Sequence, residues 1–186
     1  FWTYLKIAEG CDNRCTYCAI PSIRGKFRSR PIEELVAEAR DLEALGAREI
    51  NVIAQDITRY GVDLYGEYSL ARLLRELTAA TKTAYFRLLY CYPDKITDEL
   101  IAEIRDNPRI LKYIDLPLQH ISDRVLKSMN RHGDSALIRD VLTRLRREIP
   151  GVVIRTTFIV GFPGETEEDF QQLAEFMQQQ RFDHAG

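Results

Sequence analysis

At 186 residues, 45% apolar and 29% charged, with a formal net charge of -2, the chain suits one globular domain rather than a disordered or fibrous protein. The charge balance excludes a global positive field that would gather nucleic acid or anionic membrane without preference, and no apolar stretch is long enough to span a bilayer. Nothing near Phe1 resembles a secretory signal, so a cytoplasmic setting is expected, and both ends, Phe1-Trp2 without a methionine and His184-Ala185-Gly186, read as cut.

Residues 4–8 are apolar and β-prone and run through Glu9-Gly10 into a cysteine-rich loop. A helix follows, with Pro31 suited to its first position, Glu33 and Glu34 in its first turn, and Ile32, Leu35, Val36, Ala39, Leu42 and Leu45 on one stripe before Gly46. The alternation then repeats: strand 50–54, helix 70–79, strand 84–90, helix 98–105, strand 113–116. Ser122 suits the cap of a brief helix through Met129, a longer helix covers 135–148, and 152–160 is the next strand. Thr166 and Asp169 have the spacing of a capping box for a last helix ending near Gln180, after which only part of a strand is expected. No low-complexity linker divides these units, so 1–186 reads as a single α/β domain. Buried strands alternating with amphipathic helices imply a parallel sheet, and a barrel or a doubly wound sheet satisfies that pattern equally.

Cys11, Cys15 and Cys18 lie just past the first predicted strand at C-x3-C-x2-C spacing. Three thiolates on so short a loop can converge on one soft metal centre. A cubane cluster needs one ligand for each iron, so three cysteines would leave one iron open to the amino and carboxylate groups of S-adenosylmethionine (SAM). A zinc site completed by His120 or His132, in a noncatalytic module, and three simply buried thiols are the competing readings. Cys91 stands apart and reads as packing.

Three further segments end predicted strands on the same face: Ala54-Gln55-Asp56, Tyr90 to Pro93, and Leu116-Pro117-Leu118-Gln119-His120. Their amides, carboxylate and imidazole suit ligand hydrogen bonds, and equally suit ordinary loops. The segment from Gly161 through Phe162 and Gly164 to Glu165 permits close backbone approach to an adenine, as well as a plain strand-to-helix turn. Arg155, inside an apolar strand, needs a carboxylate or a ligand as partner. Arg24, Lys26, Arg28 and Arg30 surround Phe27 and read as a solvated basic surface.

Taken together, the cysteine triad and the segment Gly161-Phe162-Pro163-Gly164-Glu165-Thr166-Glu167-Glu168-Asp169-Phe170 resemble the methylthiotransferases of the radical SAM superfamily across almost the whole chain. Ile20 to Gly25, Ala54 to Asp63 and Leu116 to His120 are similar to the RimO-type branch, which modifies an aspartate of the twelfth small-subunit ribosomal protein. Ile57 departs from that branch, which commonly has Thr there. The other branch, MiaB-type, acts on a tRNA adenosine and usually shows Gly-Gln-Asn and Pro-Val-Gln-Ser at the corresponding places.

The resemblance implies a partial (β/α)6 TIM-like barrel, truncated at its C-terminal end, with a second-cluster domain before it and a TRAM domain after it. It also implies a four-iron four-sulfur cluster on Cys11, Cys15 and Cys18, a second such cluster only in the full-length protein, and SAM as both methyl donor and source of a 5'-deoxyadenosyl radical. SAM contacts are expected from Tyr17, Gln55, Gln119, Arg155, Gly161, Phe162, Gly164 and Glu165, and a flavodoxin- or ferredoxin-type protein as electron donor.

Overall fold

The structure is a computed structural model describing residues 1–82 and 84–186. In chain order its elements are β1 (Trp2–Lys6), β2 (Ala8–Glu9), α1 (Ile20–Arg24), β3 (Arg28–Ser29), α2 (Ile32–Ala44), β4 (Glu49–Ile53), α3 (Val62–Tyr65), α4 (Leu70–Ala80) and β5 (Tyr85–Leu88). There follow α5 (Asp98–Asp106), β6 (Ile110–Asp115), α6 (Asp123–Ser128), α7 (Ser135–Glu148), β7 (Val153–Thr156), α8 (Glu167–Gln180) and β8 (His184–Ala185).

Six strands form one sheet in the order β1-β4-β5-β6-β7-β8, every neighbouring pair parallel. That order settles what periodicity left open. A doubly wound sheet reverses its strand order at a switch point, whereas these strands follow one another in sequence, as right-handed crossovers all on one side require. The two end strands, β1 and β8, are not paired with each other, so the result is a partial barrel.

Alternation along the strands sorts the side chains. Leu5, Ile50, Val52, Phe86, Leu88 and Ile154 are fully buried toward the helices. They meet stripes such as Leu73, Leu74 and Leu77 of α4 and Ile138, Val141, Leu142 and Leu145 of α7. Each such side chain contributes about 1.5–3 kcal/mol by leaving water. The opposite face carries polar groups matched in pairs: Arg87 binds Glu49 at 2.7 and 3.1 Å and lies 4.4 Å over the Tyr113 ring, and Arg155 reaches Asp115 at 2.6 Å.

Local signals hold at the helix starts. Ser122 accepts from the Val125 amide, and Thr166 and Asp169 form the reciprocal capping box. Pro31 differs from expectation: with ψ at 144° it caps α2 from outside rather than occupying the first helical position. Two strands are shorter than their apolar runs. β5 stops at Leu88 because Tyr90 turns to φ 64°, and β7 stops at Thr156. Beyond it Phe158 makes a lone bridge to Gln119 and packs edge-on against Phe176 and Phe182. β8 pairs His184 with Arg155 and Ala185 with Thr156, adding a sixth parallel strand to the sheet.

Candidate cluster and cofactor site

The cysteine loop is shaped before any ligand is considered. β2 and β3 pair Ala8 with Ser29 and Glu9 with Arg28, bringing the two ends of the loop together. Gly10, at φ 80°, then passes so close to the returning chain that a β-carbon would stand 2.2 Å from the Lys26 carbonyl oxygen. The Cys11 amide donates to the Gly25 carbonyl at 3.1 Å and the Phe27 amide to Asp12 Oδ1 at 3.1 Å, fastening the crossing.

Two other segments hold the loop from outside. Asn13 Nδ2 donates to Asp56 Oδ2 at 3.1 Å, and Asp56 Oδ1 accepts from the Thr58 amide (3.1 Å) and hydroxyl (2.5 Å). Burial pushes the Asp56 carboxyl above its ordinary range, and these hydrogen bonds oppose the shift. From the end of α6, Ser128 and Met129 carbonyls accept from the Thr16 hydroxyl and amide, each at 3.0 Å, while Asn130 Nδ2 donates to the Arg14 carbonyl at 2.8 Å.

Cys11, Cys15 and Cys18 are free thiols lining one cavity of about 430 Å³ at the carboxyl ends of the strands. Burial raises the Cys11 thiol pKa above its usual value. Among the described residues no three His, Cys, Asp or Glu side chains are grouped as a single ion requires. His120 has both ring nitrogens engaged, Nδ1 accepting from the Ser122 amide at 3.0 Å and Nε2 lying 3.5 Å from Glu165, so it offers no free donor to zinc. Three soft sulfurs around a cavity, rather than on one point, fit a polynuclear iron-sulfur group. The cavity also has an unmet acceptor: Gln55 Oε1 is buried without a hydrogen-bond partner among the described residues. An ammonium or amide donor of a bound ligand would satisfy it.

The expected SAM contacts divide. Tyr17, Gln55 and Gln119 line the cavity, and Gln119 is held at φ 74° by backbone bonds to Thr157 and Ile159. Phe162 does not line the cavity; its ring lies edge-on to that of Tyr17, which does, at 6.4 Å between centroids. Gly161, Gly164 and Glu165 shape the turn behind it, with Glu165 accepting from the Phe162 amide at 2.9 Å, and do not line the cavity. Arg155 is likewise absent from the lining, its partner being Asp115. Cys91 packs in the core as expected, yet also reaches the cavity floor.

Sequence reasoning missed Tyr92 as an individual contact and Arg131 altogether. The Arg131 guanidinium lies 3.9 Å over the Tyr92 ring, and both its Nη1 and the Tyr92 hydroxyl stand 3.9 Å from Cys15 Sγ. Tyr92 belonged to a flagged strand end; Arg131 follows a short helix and carries no periodic or motif signal.

The chain is similar to known proteins both in sequence and in fold. The sequence model of the radical SAM superfamily matches residues 5–177. "Ribosomal protein uS12 methylthiotransferase RimO" from Desulforamulus reducens is 58% identical over 186 residues, and that from Geobacter sulfurreducens 59%; each match covers 100% of this chain and 42% of the relative. The chain thus spans less than half the length of these relatives. Among solved structures, the radical SAM methyltransferase TsrM from Kitasatospora setae, with cobalamin and a [4Fe-4S] cluster bound, superposes at TM-score 0.80 with 18% identity, covering 100% of this chain and 33% of that one. Coproporphyrinogen III oxidase (HemN) from Escherichia coli, a radical SAM enzyme, superposes at 0.68 with 15% identity, over 99% and 43% respectively. At these identities the structures speak for the fold, a radical SAM partial barrel. On the match across residues 5–177, with three free thiols around one cavity, the chain belongs to the radical SAM superfamily.

Proposed function

We propose that this chain is the radical SAM core of a RimO-type methylthiotransferase, acting on an aspartate of ribosomal protein uS12. The observation that carries the reading is identity of 58% and 59% to uS12 methylthiotransferases over 186 residues, 100% of this chain. A four-iron cluster held by these three thiolates, Cys11, Cys15 and Cys18, would, together with SAM, supply one-electron reductive cleavage of SAM to a 5'-deoxyadenosyl radical.

The chain's own residues supply position. Cys11, Cys15 and Cys18 hold the cluster, Gln55 Oε1 receives a donor from SAM, and Gln119 and Tyr17 fix the nucleoside, with Phe162 edge-on to Tyr17. Gly161, Gly164 and Glu165 set the turn that carries Phe162, and Arg155 keeps the strand ends in place through Asp115. The electron comes from a flavodoxin- or ferredoxin-type protein in the cytoplasm. Among the described residues no helix is long and apolar enough to cross a membrane.

Anaerobic iron-sulfur reconstitution followed by EPR of the reduced protein, with and without SAM, tests the core. A four-iron signal that SAM alters, lost in Cys11→Ala, Cys15→Ala and Cys18→Ala but kept in Cys91→Ala, is expected. Bound zinc, or a cluster indifferent to SAM, would overturn it. With the complete enzyme, methylthiolation of uS12 and not of tRNA is expected, and the reverse would refute the substrate.

A further inference from the structure

We propose that Arg131 sets the reduction potential of the cluster, acting through Cys15 as a positioning residue that balances charge. The inference rests on the cluster reading above. Arg131 is pinned at three points: Nη2 donates to the Pro117 carbonyl at 2.6 Å, Nη1 stands 3.9 Å from Cys15 Sγ, and the guanidinium covers the Tyr92 ring at 3.9 Å. Tyr92 is fixed in turn, its hydroxyl accepting from the His132 amide at 3.4 Å and lying 3.9 Å from the same sulfur. No carboxylate among the described residues pairs with Arg131, so its charge is not neutralised beside the sulfur. A guanidinium remains protonated throughout the working pH range.

The chain separates this contact from the task of holding the loop. Ser128, Met129 and Asn130 already bind the loop through three hydrogen bonds, to the Thr16 hydroxyl, the Thr16 amide and the Arg14 carbonyl. Arg131 makes a contact of a different kind: its head group meets the loop at the Cys15 sulfur and is otherwise tied to the Pro117 carbonyl and the Tyr92 ring. Reduction of a [4Fe-4S] cluster from the 2+ to the 1+ state adds one electron and no proton, the electron coming from a low-potential one-electron donor that is itself oxidised. The reduced form carries one more negative charge, and a fixed cation beside a ligand sulfur stabilises it more than the oxidised form. Hydrogen bonds and charge around the ligand sulfurs are the protein's means of setting such potentials. Arg131 therefore makes the cluster easier to reduce, and does so from one ligand only.

The test is an EPR-monitored redox titration with dithionite and mediators on anaerobically reconstituted holoprotein, comparing the parent with Arg131→Gln, Arg131→Lys and Lys127→Gln, the last removing an exposed cation of α6 that does not line the cavity. Arg131→Gln is expected to disfavour reduction about tenfold, a fall of about 59 mV for a one-electron couple. Arg131→Lys recovers most of the difference, and Lys127→Gln leaves the midpoint where it was. An unchanged midpoint in Arg131→Gln, or an equal fall in the Gln and Lys variants, overturns the proposal. Failure of both variants to hold a cluster does so too, by assigning Arg131 to holding the loop. If the parent forms no four-iron cluster, the cluster reading itself fails, which separates the two outcomes.

Discussion

Replacing Gly10 with alanine tests whether the crossing of the cysteine loop is as tight as its geometry indicates. The added β-carbon would stand 2.2 Å from the Lys26 carbonyl oxygen and 2.7 Å from that of Gly25. Both obstacles are backbone, so no side-chain rotation relieves them. At φ 80° the alanine also pays the left-handed penalty, about 1–2 kcal/mol. Separating the chains by the angstrom or so required strains the Cys11–Gly25 and Phe27–Asp12 hydrogen bonds, at about 1 kcal/mol each. The sum is about 3–4 kcal/mol, a large part of the ~5–15 kcal/mol that stabilises a typical domain. Gly66→Ala is the control: its φ is 77° with nothing within 4 Å of the new carbon, so it pays the conformational penalty alone. Urea denaturation gives the difference directly, and iron content after reconstitution reports on the loop. Equal midpoints for the two variants, with full iron in Gly10→Ala, would refute the reasoning.

Gln55→Leu removes the unpartnered acceptor while preserving bulk; SAM affinity of the reconstituted protein, by anaerobic equilibrium dialysis, is expected to fall about tenfold with iron content unchanged. An unchanged Kd would free Gln55 from the SAM contact. Asp169 accepts from the Ser122 hydroxyl at 2.5 Å and from the Thr166 amide at 2.9 Å, which hold its carboxyl well below the usual range. Its folded pKa is depressed, so its stabilisation is present above the unfolded value of about 3.9 and is lost as pH falls through the folded value. Asp169→Asn is accordingly expected to lower the Tm at pH 7 and to flatten its decline below about pH 4, as calorimetry would read.

Most of the architecture was legible because it follows from local rules. Helix starts at Ser122 and Thr166 were readable from a hydroxyl at the right offset, and α7 from its apolar stripe. The cysteine triad was readable because all three ligands lie on one short loop. What supports the triad was not, since Asn13 finds Asp56 and Thr16 finds Ser128 and Met129 only after the barrel has brought distant loops together. Arg131 illustrates the limit: its position after α6 explains its place beside Cys15, but nothing in the neighbouring sequence distinguishes it from a surface arginine. Arg155 was read as needing a carboxylate or a ligand and was expected to contact SAM; it pairs with Asp115 on the adjacent strand and does not line the cavity.

That pair also explains why β5 ends before its apolar run does. Tyr90, Gln119 and Asn130 are non-glycine residues at φ 64°, 74° and 53°, and all three border the site. Such conformations cost about 1–3 kcal/mol each and persist only where surrounding bonds enforce them. At Tyr90 the enforcing group is Asp115, fully buried, whose Oδ2 accepts the Tyr90 amide at 3.0 Å while Oδ1 accepts from Arg155. A buried carboxylate needs a countercharge, and Arg155 on β7 supplies it. One ion pair between β6 and β7 thus fixes the turn that ends β5 and aims Tyr90, Cys91 and Tyr92 at the cavity. The apolar run continues to Tyr90 in the sequence, but the strand stops short because a side chain from the next strand captures its amide.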